Sequence, residues 1–108
     1  MQVTAAQVEI FKNKARAAFI LRALAYLQAK HPGVFERVGS DRIRAIVELS
    51  LERCQKHQAA SESCVVALAD LSLTYSRDVY LRDGWVQDIL SNEDIDVSEK
   101  ALRLSSYL

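Results

Sequence analysis

At 108 residues, half of them hydrophobic, the chain has the size of one domain and can bury a core without a metal or disulfide staple. Three glycines, one proline and no alternation of β-branched residues argue against a sheet and for helices. Fourteen Lys and Arg balance fourteen Asp and Glu, which argues against a surface built for nucleic acid.

The charge is neutral in total but not in distribution. Ten basic residues face five acids through Gln58, and four face nine from Ala59 on. Either the two halves pack together and neutralise each other, or they mark separate partner surfaces. No apolar run is long enough to span a bilayer, and Met-Gln-Val-Thr-Ala-Ala-Gln lacks the basic and apolar regions of a signal peptide. A cytoplasmic protein without a membrane partner is expected. Cys54 and Cys64 have no paired-motif spacing and read as free thiols.

The first helix is expected from Thr4, which has capping-box spacing with Gln7, to Lys30. Its first half sets Val8, Phe11 and Ala15 against Lys12, Lys14 and Arg16. Its second half, Phe19 to Leu27, is apolar apart from Arg22 and reads as a buried segment. Lys30 and His31 suit the negative end of the helix dipole, and Pro32-Gly33 should stop the helix. Val34 to Val38 reads as a single turn with Phe35 plugging one end of the core. Ser40 should cap a second helix to about His57, with Ile43, Ile46, Val47, Leu51 and Cys54 on one buried face.

The third helix, capped by Ser61, carries the stretch on which the fold depends. Cys64-Val-Val-Ala-Leu-Ala-Asp-Leu-Ser-Leu-Thr-Tyr75 is apolar around nearly its whole circumference, as a helix buried on all sides must be. Arg77 to Asp83 is a charged loop with three apolar side chains that should hold it to the body. Asp83 can cap a fourth helix with Trp85, Ile89 and Leu90 on one face. Asp96 and Glu99 form a second capping box for a fifth helix striped by Val97, Ala101, Leu104 and Leu108. That stripe either closes the core or pairs with a second copy, leaving monomer and homodimer open. The expected product is an all-α, single-domain bundle of about five helices with a buried central third helix.

One residue breaks the central helix: Asp70, a carboxylate in apolar surroundings that needs a partner. The structural expectation is a buried ion pair with Arg22, or with Arg53. The catalytic alternative is a general base or ligand hook in a small helical enzyme, but no second catalytic group stands beside Asp70 at helical spacing. Cys54-x-x-His57 supplies two of the three or four ligands zinc requires, and the chain brings no obvious third. No nucleophile motif and no glycine-rich phosphate loop are present, so neither an enzyme nor a bound cofactor is expected. Arg42, Arg44, Arg53 and Lys56 are interleaved with acids, so no nucleic-acid partner is expected either. The C-terminal acids Asp88, Glu93, Asp94, Asp96 and Glu99 read either as a solvated rim with two caps or as a docking face for a basic protein. Tyr80, Trp85 and Tyr107 lie around them, and aromatics are enriched among interface anchors.

The order of these features resembles a family of small all-helical bacterial proteins encoded in type VI secretion gene clusters beside spike-tip (PAAR) proteins and secreted toxins. The resemblance spans roughly residues 12 to 104. It rests on the Lys30-His31-Pro32 break, the helix Arg42-Ile43-Arg44-Ala45-Ile46-Val47-Glu48-Leu49 and the pair Asp70-Leu71. Tyr75, Arg77-Asp78 and Trp85 with Ile89-Leu90 complete it. The chain departs from the pattern at Val66, where the family has a cysteine, in a shorter loop before Trp85, and at Gly84 in place of a proline. The resemblance implies a non-enzymatic adaptor or co-chaperone for a secreted effector or spike-tip protein, or else an immunity protein against a toxin. Tyr80, Trp85, Asp88, Glu93 and Asp94 are the expected partner-binding residues.

Overall fold

The computed structural model describes residues 5–76 and 78–108, with side chains described from Lys14 onward. Seven helices are formed among these residues, and the all-α, single-domain class holds. They are α1 (Ala5–Lys30), α2 (Pro32–Val38), α3 (Ser40–Lys56), α4 (Glu62–Thr74), α5 (Val79–Arg82), α6 (Gly84–Ser91) and α7 (Val97–Ser105). Thr4 of the expected Thr4–Gln7 capping box lies outside the described residues, and Gln7, Val8 and Phe11 lie outside those whose side chains are described.

The two helices beyond the expected five come from short segments. Pro32 does end α1, but it occupies the first turn of α2, where its missing N–H leaves no bond unmade and its fixed φ suits a helix. The segment Val79–Arg82 makes one helical turn because Val79 and Tyr80 are both drawn into the core. Leu81, on the other side of that turn, stays exposed.

Backbone chemistry fixes the ends. Gly39 has φ 85° and ψ 152°, a conformation open essentially to glycine alone. It terminates α2 and also occupies the N-cap of α3, so Ser40 falls inside the first turn and makes no side-chain cap, contrary to expectation. At the far end of α3, Gln58 adopts a left-handed φ of 54°. The amide of Ala59 then reaches the carbonyl of Cys54 at 2.8 Å, and that of Gln58 reaches Gln55 at 3.1 Å. These are the paired bonds of a Schellman ending. Ser61 caps α4 as expected, its hydroxyl accepting from the Cys64 amide at 3.1 Å. Asp96 likewise accepts from Glu99 at 2.8 Å, but the reciprocal half of that capping box is not made, because Glu99 turns to Arg103 at 3.2 Å. Asp83 holds the N-cap position of α6 without a side-chain cap bond.

α4 is the centre. Cys64, Val65, Leu68, Ala69 and Leu71 are sealed from solvent, with α7 giving its most extensive cover and α3, α1 and α5 closing the other sides. Ile43, Val47, Leu51 and Cys54 of α3 form the expected buried face, with Ile46 half-buried beside them. α7 turns Ala101 and Leu104 inward to close the core, with Val97 half-buried beside them, whereas Leu108 of the expected stripe lies beyond the helix and is exposed. α1 is less buried than its sequence suggests. Phe19, Ile20, Ala23 and Leu27 face inward, whereas Leu21 and Tyr26 are exposed, as is every residue from Lys14 to Ala18. Among the described residues, no helix is long and apolar enough to cross a membrane.

Candidate functional site

Asp70 lies in the middle of α4 and is 1% exposed. Its Oδ2 accepts from Lys30 Nζ at 2.5 Å and its Oδ1 from His31 Nε2 at 2.6 Å. The Thr74 hydroxyl, one turn on, approaches Oδ1 at 3.4 Å. Both carboxylate oxygens are therefore engaged by cationic or N–H donors, the condition under which a buried carboxylate is tolerated. The same carboxylate holds the Lys30 ammonium above its ordinary pKa, first through the hydrogen bond itself.

The expected Arg22–Asp70 pair is not formed. Arg22 projects from the exposed side of α1 and pairs with Glu62 in the first turn of α4. The reason is register. Arg22–Glu62 and Lys30–Asp70 both join residues forty apart, so α1 and α4 run side by side in the same direction and advance in step. An acid eight residues into α4 meets a cation eight residues beyond Arg22. Arg53, the other candidate, is also elsewhere: its guanidinium lies over the Tyr80 ring, 4.5 Å from the centroid.

The expected partner-binding residues are not brought into one patch. Tyr80 is 5% exposed and belongs to the core, its hydroxyl 2.7 Å from His57 Nε2 and its carbonyl accepting from Gln87 at 2.8 Å. It cannot serve as a surface anchor, because the one-turn helix α5 points its ring inward. Trp85, by contrast, stacks on Tyr107 with centroids 4.0 Å apart and planes 27° from parallel. That contact brings the start of α6 to the end of α7, so the two helices are antiparallel and the Asn92–Asp96 connection lies at their opposite end. Glu93 is at that far end, lining a polar depression with Lys56, His57 and Lys100, and Asp94 follows it in the same connection. Of the expected acids only Asp88, exposed one turn after Trp85, accompanies the aromatics.

The sequence reading missed the third member of this cluster. Tyr75, at the end of α4, donates its hydroxyl to the Tyr107 carbonyl at 2.6 Å. Tyr75 is 58% exposed, Tyr107 47% and Leu108 44%. The signal available was an aromatic near each of three helix ends, Tyr75, Trp85 and Tyr107, but their meeting depends on where α7 lies.

Cys54 and Cys64 are free, and both are fully buried in side-chain contact with each other. That contact pushes the Cys54 thiol up and the Cys64 thiol down. His57 lies below its ordinary pKa, first through burial and then through the charges of Lys56 and Lys100. It turns to Tyr80 rather than joining Cys54 at a metal, and among the described residues no three His, Cys, Asp or Glu side chains gather in a metal-binding group.

No protein-family model, curated protein or solved structure matches the chain.

Proposed function

We propose that this chain is a non-enzymatic protein-interaction module that docks a basic, amphipathic segment of a partner on the aromatic end of the α6–α7 pair. The observation that carries the reading is the Trp85–Tyr107 stack. It is bound to Tyr75 and lies next to Leu108; Tyr75, Tyr107 and Leu108 are exposed and Trp85 is half-buried against the core beneath them. Large amphipathic rings held rigid by stacking lose little freedom on binding, which is why such residues dominate interface energetics. Asp88 beside them has no ion-pair partner among the described residues, and the chain from Ala59 on carries the surplus of acids. Both favour a basic occupant. The non-enzymatic part of the reading is supported by Asp70, whose two oxygens are taken up by Lys30 and His31.

Trp85 is the only tryptophan, so its emission reports on this surface alone. Titration with a helical peptide of alternating Leu and Lys faces should shift the emission saturably, and added salt should weaken the effect. Tyr107→Ser and Asp88→Lys should each reduce the affinity. An unchanged emission in the wild type, or equal binding by Tyr107→Ser, removes the surface from consideration.

The resemblance to type VI secretion cluster proteins supports a finer reading, an adaptor or co-chaperone that delivers a secreted effector to the spike. An immunity protein neutralising a toxin is the alternative. Deletion of the gene should abolish effector export and spare growth if the chain is an adaptor. It should arrest growth beside toxin-producing neighbours if the chain gives immunity.

A further inference from the structure

A second surface, of opposite charge, runs along the outer face of α3. It is a groove of about 870 Å³. Ala45, Ile46 and Leu49 provide apolar lining, and the depth comes from two small residues beneath, Ser50 and Ser72. Each serine turns its hydroxyl back to its own helix, Ser50 to Ile46 at 2.8 Å and Ser72 to Leu68 at 2.9 Å, so neither asks for a ligand. Arg42 stands towards one end and Arg53 at the other, eleven residues apart, which is roughly 16 Å along a helix.

Neither arginine has an ion-pair partner among the described residues, whereas Arg44 next door is matched by Glu48 at 3.2 Å. Arg53 is also held in place, its guanidinium resting on the buried Tyr80 ring. The trough thus has an apolar middle and a cation towards each end, one of them already positioned. Its length matches three helical turns and exceeds what a small head group would fill.

We infer that this groove docks an acidic amphipathic helix of a second partner protein, with two carboxylates eleven positions apart and apolar residues between them. Asp78 is the one acid in the described lining, and a partner carboxylate is repelled there. The inference does not depend on the aromatic end of α6–α7: the surface is different and the occupant carries the other charge. If both hold, the chain bridges two partners, which is the geometry an adaptor requires.

The test is fluorescence anisotropy of a labelled synthetic helix carrying two glutamates eleven positions apart and three leucines between them. Its all-lysine counterpart and dodecanoate serve as competitors. The acidic helix should bind saturably at low salt and the lysine helix should not compete. Arg42→Glu should weaken binding about tenfold or more, and Ala45→Phe, which fills the trough from an exposed position, should do the same. Asp78→Asn should tighten it. Both weakening variants lie on the exposed side of α3, and circular dichroism melting checks that they remain folded. Absence of binding, or binding indifferent to Ala45→Phe, overturns the inference. Displacement by dodecanoate would assign the trough to a small amphipathic anion instead. A wild-type dimer in sedimentation that Arg42→Glu makes monomeric would assign it to a second copy of the chain.

Discussion

Asp70 and His31 meet at 2.6 Å, one from the middle of the most buried helix and the other from the break that ends α1. With Lys30 on the second oxygen, the contact anchors the end of α1 to α4 and fixes the parallel register of the two helices.

The three charged residues of this register should therefore be unequal in urea unfolding. Asp70→Ala should cost about 2–3 kcal/mol, since it removes two charge-assisted bonds and leaves a small void. Lys30→Met should cost roughly 1 kcal/mol or less, because its ammonium is partly in water. Arg22→Ala, in an exposed pair, should change stability by no more than about 0.5 kcal/mol. An Arg22→Ala effect as large as that of Asp70→Ala would contradict the register.

Two single-residue backbone changes should move stability in opposite directions. Gly39→Ala meets no atom within 4 Å, yet it forces a side chain into a conformation reserved for glycine. A loss of about 1–3 kcal/mol is expected. Gln58→Gly relieves the left-handed strain at the end of α3 and should gain up to about 1 kcal/mol. Thermal melts of the two variants decide the matter by sign alone.

Acid should weaken the fold through His57. Its pKa is lowered from 6.5 in the folded chain, so between the two values the unfolded chain binds more protons. The contribution is complete above about pH 6.5 and is lost as the pH falls through the folded value. His57→Gln should remove that part of the pH dependence. Melting temperatures of wild type and variant should converge on acidification and separate near neutrality.

Tyr80→Phe distinguishes core from surface. It deletes the bond to His57 and should cost about 1 kcal/mol, while binding at the Trp85–Tyr107 end is unchanged. Loss of partner affinity without loss of stability would place Tyr80 in the interface after all.

The sequence disclosed much of this architecture through local rules. The apolar circumference of Val65 to Leu71, the Ile43–Val47–Leu51–Cys54 face and the Ser61 cap each depend on a few neighbouring residues, and each is found. The failures share a different origin. Pairing Asp70 with Arg22 requires the register between helices forty residues apart, which no local spacing encodes. Tyr80 and Trp85 both neighbour the acidic segment in sequence, but the one-turn helix α5 sends the Tyr80 ring into the core. Asp88 and Glu93 lie five residues apart, yet Asp88 projects from the middle of α6, one turn after Trp85, while Glu93 lies past the end of that helix, beside Lys56 and Lys100. Ser40 failed as a cap for a smaller reason: the glycine before it had already taken the position.

The partnership of α4 with α7 sets an order of events during synthesis. α4 leaves the ribosome after α1 and α3 and can pack on them, but the helix that covers it most extensively is the last in the described chain. Until residues Val97–Ser105 have emerged, one side of the most apolar helix has no cover. A nascent chain paused before Val97 should therefore recruit holding chaperones, and a chain released past Ser105 should let them go.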